Sequence, residues 1–471
     1  MEDAALDLSF LLRGWPSPYR DRDLPPLGPR MRDPVTDRPS RRRYCAMGWL
    51  TSAAALAYLC RVSLGVAEST IREDLGLDLE DSGWILGAFF WAYASFTMPA
   101  AVFAYSRGSR LARTVFAVGW SGATAAMGLA PLAWAGFGVL LVTQLAMGVA
   151  QAGLFPSSYK SVSTWLPLGR RTLGCSLLAL GMQAGAIAAG GLTGQLLELD
   201  PEGKSWRWIF FVYAVPGLVW SVFFWRDFRD EPETDVRVNS AELALLRADT
   251  PAEAARPGAP EPTPWRVIFD SNVLWLLCGQ QICRASGYIF FATWFPTFLQ
   301  ETQGVSPATS GMLQGVVLAA SLVGSLMGGL LTDWVWKCTG SLRMSRAGVG
   351  GGCLFLSGVF ILAAYFFPWL EARMVLMSLG ALFAMLGGVS ANAASVDVGN
   401  KHVPQVFGIV NMSGNFAAAA TPVIVGRVFE TTSNWSLVLI GFAVVYFVGA
   451  GCMALVDPTR KIHSSGSSND S

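Results

Sequence analysis

Histidine is nearly missing from this chain: His402 and His463 are the only two among 471 residues, and both fall outside the long apolar runs. Catalysis by a buried imidazole is therefore not expected. Charge is scarce as well. Asp, Glu, Lys and Arg make up 14% of the residues, against roughly 25% in soluble domains, and the net charge is only +1. No acidic macromolecule or nucleic acid is expected as a partner. The eight cysteines are scattered, with no CxxC and no Cys/His cluster, which argues against a disulfide framework or a zinc site. No Asp or Glu is found well inside an apolar run. The spans thus offer no nucleophile, base or metal cluster, so the chain is not expected to be an enzyme and no cofactor is expected.

What the chain has in abundance is apolar sequence: 52% hydrophobic residues, with 18 Trp and 28 Phe. A hydrocarbon core about 30 Å thick needs roughly 20 helical residues. That ruler predicts an all-α, polytopic membrane protein with twelve transmembrane helices, at 44–67, 83–105, 111–131, 136–157, 173–196, 206–225, 272–299, 310–334, 347–367, 373–396, 406–429 and 435–456. The bilayer is its first partner.

The organisation that follows is a disordered tail over 1–43, a six-helix bundle over 44–226, a polar loop over 227–265, a second six-helix bundle over 266–458 and a disordered tail over 459–471. In the loop, Ser240 to Arg247 has the pattern of a short amphipathic helix, followed by a Pro/Ala/Glu-rich stretch at 250–264. Basic residues mark one set of connections: Arg107, Arg110 and Arg113; Lys160, Arg170 and Arg171; Lys337, Arg343 and Arg346; Lys401, Arg460 and Lys461. The first opposite connection carries Glu68, Glu73, Asp74, Asp78, Glu80 and Asp81. By the positive-inside rule both termini and the central loop are cytoplasmic, and the plasma (inner) membrane is the expected location.

The exception to the apolar pattern is Arg61, near the outer part of the first span, with Arg284 about twelve residues into the seventh. An arginine at the centre of a bilayer costs about 2.5–3.5 kcal/mol on insertion scales, so such a residue normally faces a water-filled cavity. Snorkelling, or for Arg61 a salt bridge to Glu68, would be the plain alternatives. The two arginines lie at equivalent places in the halves. Trp206 and Trp435 open the sixth and twelfth spans, and Gly174 corresponds to Gly408. Parallel repeats of this kind bind substrate between the halves near mid-membrane.

Six-plus-six spans, a long central loop and Gly328-Gly329-Leu330-Leu331-Thr332-Asp333 before the basic loop together resemble the major facilitator superfamily. More narrowly, the chain is similar to the anion:cation symporter family, which includes sugar-acid transporters, sialin and the vesicular glutamate transporters. The stretches that carry this are Gly87-Ala88-Phe89-Phe90-Trp91-Ala92-Tyr93, Ala152-Gly153-Leu154-Phe155-Pro156, Cys283-Arg284, Thr293-Trp294-Phe295-Pro296-Thr297-Phe298-Leu299 and Phe407-Gly408-Ile409-Val410-Asn411-Met412-Ser413-Gly414-Asn415.

The resemblance implies alternating-access transport of a small organic anion, a sugar acid or similar carboxylate, by a monomer, with H+ or Na+ as the candidate coupling ion. It implies that Arg61 and Arg284 clamp the anionic group, a role suited to a planar, permanently charged fork. Tyr58, Tyr288, Gln151 and Asn411 are candidate contacts to the rest of the substrate. The tyrosines could equally be packing aromatics, and Asn411 with Asn415 could be polar glue between helices. Asp333 with Arg343 or Arg346 is the expected gate latch.

The sequence also departs from the family. Cys60 stands where many proton-coupled members have Asp, Gln151 where they have Glu, Gln144 where they have Arg, and Tyr105 where the first-half loop motif has Asp. These departures leave the usual proton-carrying carboxylates missing. The alternatives are an organophosphate/phosphate exchanger, whose family also pairs arginines on the first and seventh helices, or a facilitator or exchanger without proton coupling. Among other classes, a sensor would need an output domain that neither tail resembles, and no span pattern repeats as the lining of a channel.

Overall fold

The computed structural model describes residues 38–130, 134–167, 170–199, 206–247, 265–367, 369–399 and 402–460. Of the tails expected at 1–43 and 459–471, residues 1–37 and 461–471 lie outside the described residues, as does the Pro/Ala/Glu-rich stretch from 250 to 264. Among the described residues the chain is helical, with no strand.

The first half comprises α1 (Arg42–Leu75), α2 (Leu79–Arg107), α3 (Ser109–Met127), α4 (Trp134–Ala152), α5 (Leu154–Trp165), α6 (Arg171–Glu198) and α7 (Trp206–Asp227). Helices α8 (Ser240–Arg247) and α9 (Trp265–Phe269) belong to the connection. The second half comprises α10 (Asn272–Thr293), α11 (Phe295–Gln303), α12 (Pro307–Thr339), α13 (Val349–Phe366), α14 (Leu370–Gly399), α15 (Val403–Thr432) and α16 (Trp435–Ala454). Among the described residues ten helices are long and apolar enough to cross a membrane. The third and seventh expected spans, α3 and α10, are not among those ten. They carry arginine, at Arg110 and Arg113 in α3 and at Arg284 in α10. Two spans are broken in mid-course: α4 gives way to α5 at Gly153, and α10 gives way to α11 at Trp294.

Several boundaries move from their expected places. Helix α1 runs on to Leu75, so Glu68 lies within it and is only 4% exposed. The reason is a tight turn: Gly76 closes α1 in the left-handed region at φ 64°, and Asp78 caps α2 by accepting from the Asp81 amide at 2.7 Å. Arg113, counted with the connections by sequence, is fully buried in α3, donating to Ser157 and Ser161 beside the Phe224 and Phe228 rings.

The repeat is visible in side-chain contacts. Trp206, opening α7, donates its indole N–H to Asp74 near the end of α1 at 3.0 Å. Trp435, opening α16, donates to Glu301 on α11 at 2.9 Å. Each half thus pins its last span to the far end of its first in the same way.

Helix α6 shows why its glycines are needed. A Cβ at Gly185 would sit 2.0 Å from the Ala55 carbonyl oxygen of α1, and one at Gly190 would sit 2.5 Å from the Gly311 carbonyl oxygen of α12. One helix therefore packs backbone-close on its own half and on the other half. Helices α2 and α15 meet similarly, with Gly83 against Pro422 and Gly87 against Ala419. The α6–α12 and α2–α15 approaches join the two halves, which are also joined beside the α1–α2 turn, where Arg72, Ser69 and Glu68 bond to Glu301, Gln300 and Thr297 of the second half.

At the opposite end the connection folds back on the first helix. The expected amphipathic segment is α8, and its Glu242 is fully buried against the start of α1. Glu242 accepts from the backbone amides of Arg42 and Arg43, each at 3.0 Å, from the Arg43 guanidinium at 3.2 Å and from the Ser40 hydroxyl. Asp227 and Asp235 hold Arg42. A carboxylate thus occupies the positive end of α1.

Candidate functional site

Between the halves lies a cavity of about 290 Å³. Helices α1, α2, α4 and α6 of the first half and α10, α12, α14 and α15 of the second contribute to its wall. Seven of its side chains are singled out by the sequence: Arg61, Arg284, Tyr58, Tyr288, Asn411, Asn415 and Gln144. The two arginines, far apart in the chain, thus face one space. The rest of the wall is mainly apolar and aromatic. Among the described residues it contains no Asp, Glu, Lys or His.

Arg61 is held on several sides. Its guanidinium carbon lies 4.3 Å from the ring centres of Tyr58 and Phe89 and 5.3 Å from that of Tyr93, a cation–π cage built by α1 and α2. Its Nε and Nη2 both donate to Gln151 Oε1, at 3.1 and 2.8 Å. The Gln151 amide in turn donates to the Ala57 carbonyl at 3.0 Å, which fixes which end of the side chain faces the arginine. Gln151 is fully buried behind Arg61 and is not part of the cavity wall. Glu68, weighed as a salt-bridge partner for Arg61, bonds instead to Arg72 at 3.0 Å and to Thr297.

Arg284 is braced in the same manner from a different place. Its Nε and Nη2 donate to Gln281 Oε1, at 3.2 and 3.0 Å, and its Nη1 lies 3.4 Å from the Met385 sulfur. Gln281 and Arg284 stand three residues apart, one turn along α10, so they share a face. Space for the pair is supplied by two glycines. A Cβ at Gly388 would lie 2.8 Å from Arg284 Cδ, and one at Gly414 would lie 2.8 Å from Gln281 Nε2.

Tyr288 lines the cavity, its hydroxyl 3.4 Å from Gln183 of α6, so the two halves also touch at mid-depth. Gln144, two turns before Gln151, is in the wall. Cys60 is 1% exposed, with its thiol toward the Tyr213 carbonyl of α7, and does not reach the cavity.

The expected latch takes a different form. Among the described residues no ion pair joins Asp333 to Arg343 or Arg346. Arg346 pairs with Asp397 of α14 at 2.8 Å, while Asp333 and Arg343 are exposed. A π-helical turn at Met344–Gly348 opens the ninth span and carries Arg346, beside the end of α14. In the first half, where the loop motif lacks its Asp, Asp230 beyond α7 takes over and accepts from the Arg110 amide at 2.7 Å.

Sequence reasoning missed Gln281, Gln183, Phe89 and Met385. The one signal for Gln281 was its one-turn spacing from Arg284. It also missed Glu68 and Glu301 as members of the contact between halves, because the first span was ended too early.

Residues 50–396 match the profile described as Major Facilitator Superfamily. The probable sulfoacetate transporter SauU of Cupriavidus necator is 26% identical over 90% of this chain and 96% of its own length. The D-galactonate transporter of Escherichia coli is 26% identical over 88% of this chain and 95% of its own. Among solved structures, a bacterial homologue of the human lysosomal transporter Spinster, inward-facing and unoccupied, superposes with a TM-score of 0.68 at 17% identity. That superposition covers 88% of this chain and 94% of the other.

Proposed function

The chain belongs to the major facilitator superfamily, and from that premise we propose that it is a secondary transporter of a small organic anion, a sugar acid or similar carboxylate, working by alternating access. The observation that carries this reading is the convergence of Arg61 and Arg284 on one cavity between the halves. Two guanidinium groups in a mainly apolar pocket suit an anion. The relatives named for sulfoacetate and D-galactonate agree in substrate class.

In this reading Arg61 and Arg284 clamp the anion, while Tyr58, Tyr288 and Asn411 contact its remainder. Gln151 acts through Arg61. The chain is a multi-pass monomer of the plasma membrane with both termini cytoplasmic. The contacts between the halves near the α1–α2 turn then form the outer closure, and the cavity is reached from the cytoplasm. A coupling ion, H+ or Na+, would have to bind outside the cavity wall, which offers no carboxylate. Exchange without proton coupling therefore stands beside symport.

The test is uptake into proteoliposomes of sulfoacetate, D-galactonate, D-glucarate and a hexuronate, at several pH values, with and without Na+. Arg284→Ala should abolish uptake of whichever anion is carried while leaving the amount of folded protein unchanged. Normal uptake by that variant would refute the clamp.

A further inference from the structure

The two arginines share a feature that a simple anion clamp does not require. Each presents the same edge, Nε and Nη2, to the carbonyl oxygen of a glutamine: Arg61 to Gln151 and Arg284 to Gln281. The braces come from non-equivalent places in the two halves, one from another helix and one from the same helix. Their chemistry is nonetheless identical. An amide orients a guanidinium as a carboxylate would, but leaves its charge uncancelled.

For Gln151 the neutral amide is required by its surroundings. Its Nε2 donates to the Ala57 carbonyl oxygen while Oε1 receives Arg61. A carboxylate there would set one oxygen against that carbonyl unless it carried a proton. Beyond the two arginines, the described cavity wall holds no ionisable Asp, Glu, Lys or His, so it carries two positive charges and nothing to offset them.

Resting on the organic-anion reading above, we propose that this cavity selects a doubly charged organic anion, and that the halves re-close only around such a dianion, making the protein a strict exchanger of organic dianions. The glutamines are positioning residues that set the charge the site demands. Closing a mainly apolar cavity over two unpaired cations is strongly unfavourable, so the empty carrier is held back from reorienting. A singly charged ligand leaves one guanidinium unpaired, whereas a dianion satisfies both. Exchange of one dianion for another moves no net charge and needs no titrating group.

The experiment uses the full chain in proteoliposomes with two matched pairs: D-glucarate against D-gluconate, and sulfoacetate against glycolate. Each pair differs by one charged group. The doubly charged member of the pair that is carried should enter at least tenfold faster than its partner. It should also enter at least tenfold faster when the lumen holds the same dianion than when it holds only chloride salts. Equal uptake of the singly charged member, or equal uptake into chloride-loaded vesicles, would overturn this inference and leave the organic-anion reading standing. Uptake of neither pair, nor of the wider panel, would remove both.

Gln281→Glu and Gln151→Glu supply a second readout. Each should narrow the preference for the dianion and add a pH dependence that the unaltered protein lacks. A purely structural role would lower all rates together at every pH.

Discussion

Arg72 of α1 ties the two halves together at Glu301 of α11, its Nη2 donating at 2.6 Å while its Nε holds the buried Glu68 at 3.0 Å. Glu301 is fixed in turn by the Trp435 indole. The bond joins residues of different halves, so it can persist only while this end is closed. A partly exposed pair contributes about 0.5–1 kcal/mol, which corresponds to about a two- to fivefold change in population. Glu301→Gln should shift the protein by that factor toward the form open at this end. Labelling of a Leu86→Cys reporter with an impermeant maleimide from that side measures it. Unchanged labelling would show that the pair is not part of the closure.

At the other end, the clasp of α8 on α1 should depend on pH. Burial alone would raise the Glu242 carboxyl, but the Ser40 hydroxyl, the two backbone amides and the Arg43 charge hold it below its ordinary value. Asp235 is lowered in the same way: burial opposes, and Arg237 and Arg42 prevail. A carboxyl whose folded value is depressed stabilises the fold above its unfolded value. That stabilisation is lost as pH falls through the folded value. The clasp should therefore hold at neutral pH and loosen below about pH 4, the ordinary carboxylate range. Hydrogen exchange of the 240–247 amides should quicken there and not between pH 6 and 8.

Gly388 offers a test of the site that spares the arginines themselves. A methyl group at this position would lie 2.8 Å from Arg284 Cδ and 3.0 Å from Nε, so the side chain must move off its brace. Because the obstacle is a movable side chain, folding should survive. Gly388→Ala should raise KM about tenfold or more, since small misplacements of a binding group are costly, with the yield of folded protein unchanged. A KM equal to that of the unaltered protein would mean that Arg284 has another productive position.

The twelve-span architecture was legible because it rests on run length and on the ends of runs, which composition records. The two arginines were legible because a charge in an apolar run is rare. The braces were less so. Gln151 was noticed from its place in the fourth span, but its partner was invisible because the contact with Arg61 depends on how α4 lies against α1. Gln281 looked like one more polar residue beside Gln280. The position of α14 that faces Arg284 carries Met385 and Gly388, so following the repeat could not lead to it. Asp397 displaced Asp333 as the partner of Arg346 for a similar reason: the sequence motif records neighbours along the chain, whereas the π-helical turn at Met344–Gly348 carries Arg346 beside α14.

Cys60 separates the sequence reading from the structural one most sharply. It precedes Arg61 and occupies the place where many proton-coupled members of the family have Asp, so in the sequence it marks a missing coupling group. In the fold, consecutive residues of a helix point about 100° apart, and Cys60 faces α7, buried, with its thiol 3.7 Å from the Tyr213 carbonyl. A group in that position can neither touch a substrate in the cavity nor exchange protons with it directly. Cys60→Ser should therefore leave uptake within about twofold and its pH profile unchanged, since the hydroxyl can make the same bond to that carbonyl. Cys60→Asp is expected to behave differently, because a carboxylate facing a carbonyl oxygen in a buried site lacks a donor. It should cut the yield of folded protein without creating proton-driven accumulation. Accumulation driven by a pH gradient in that variant would place the sixtieth residue in the transport path after all.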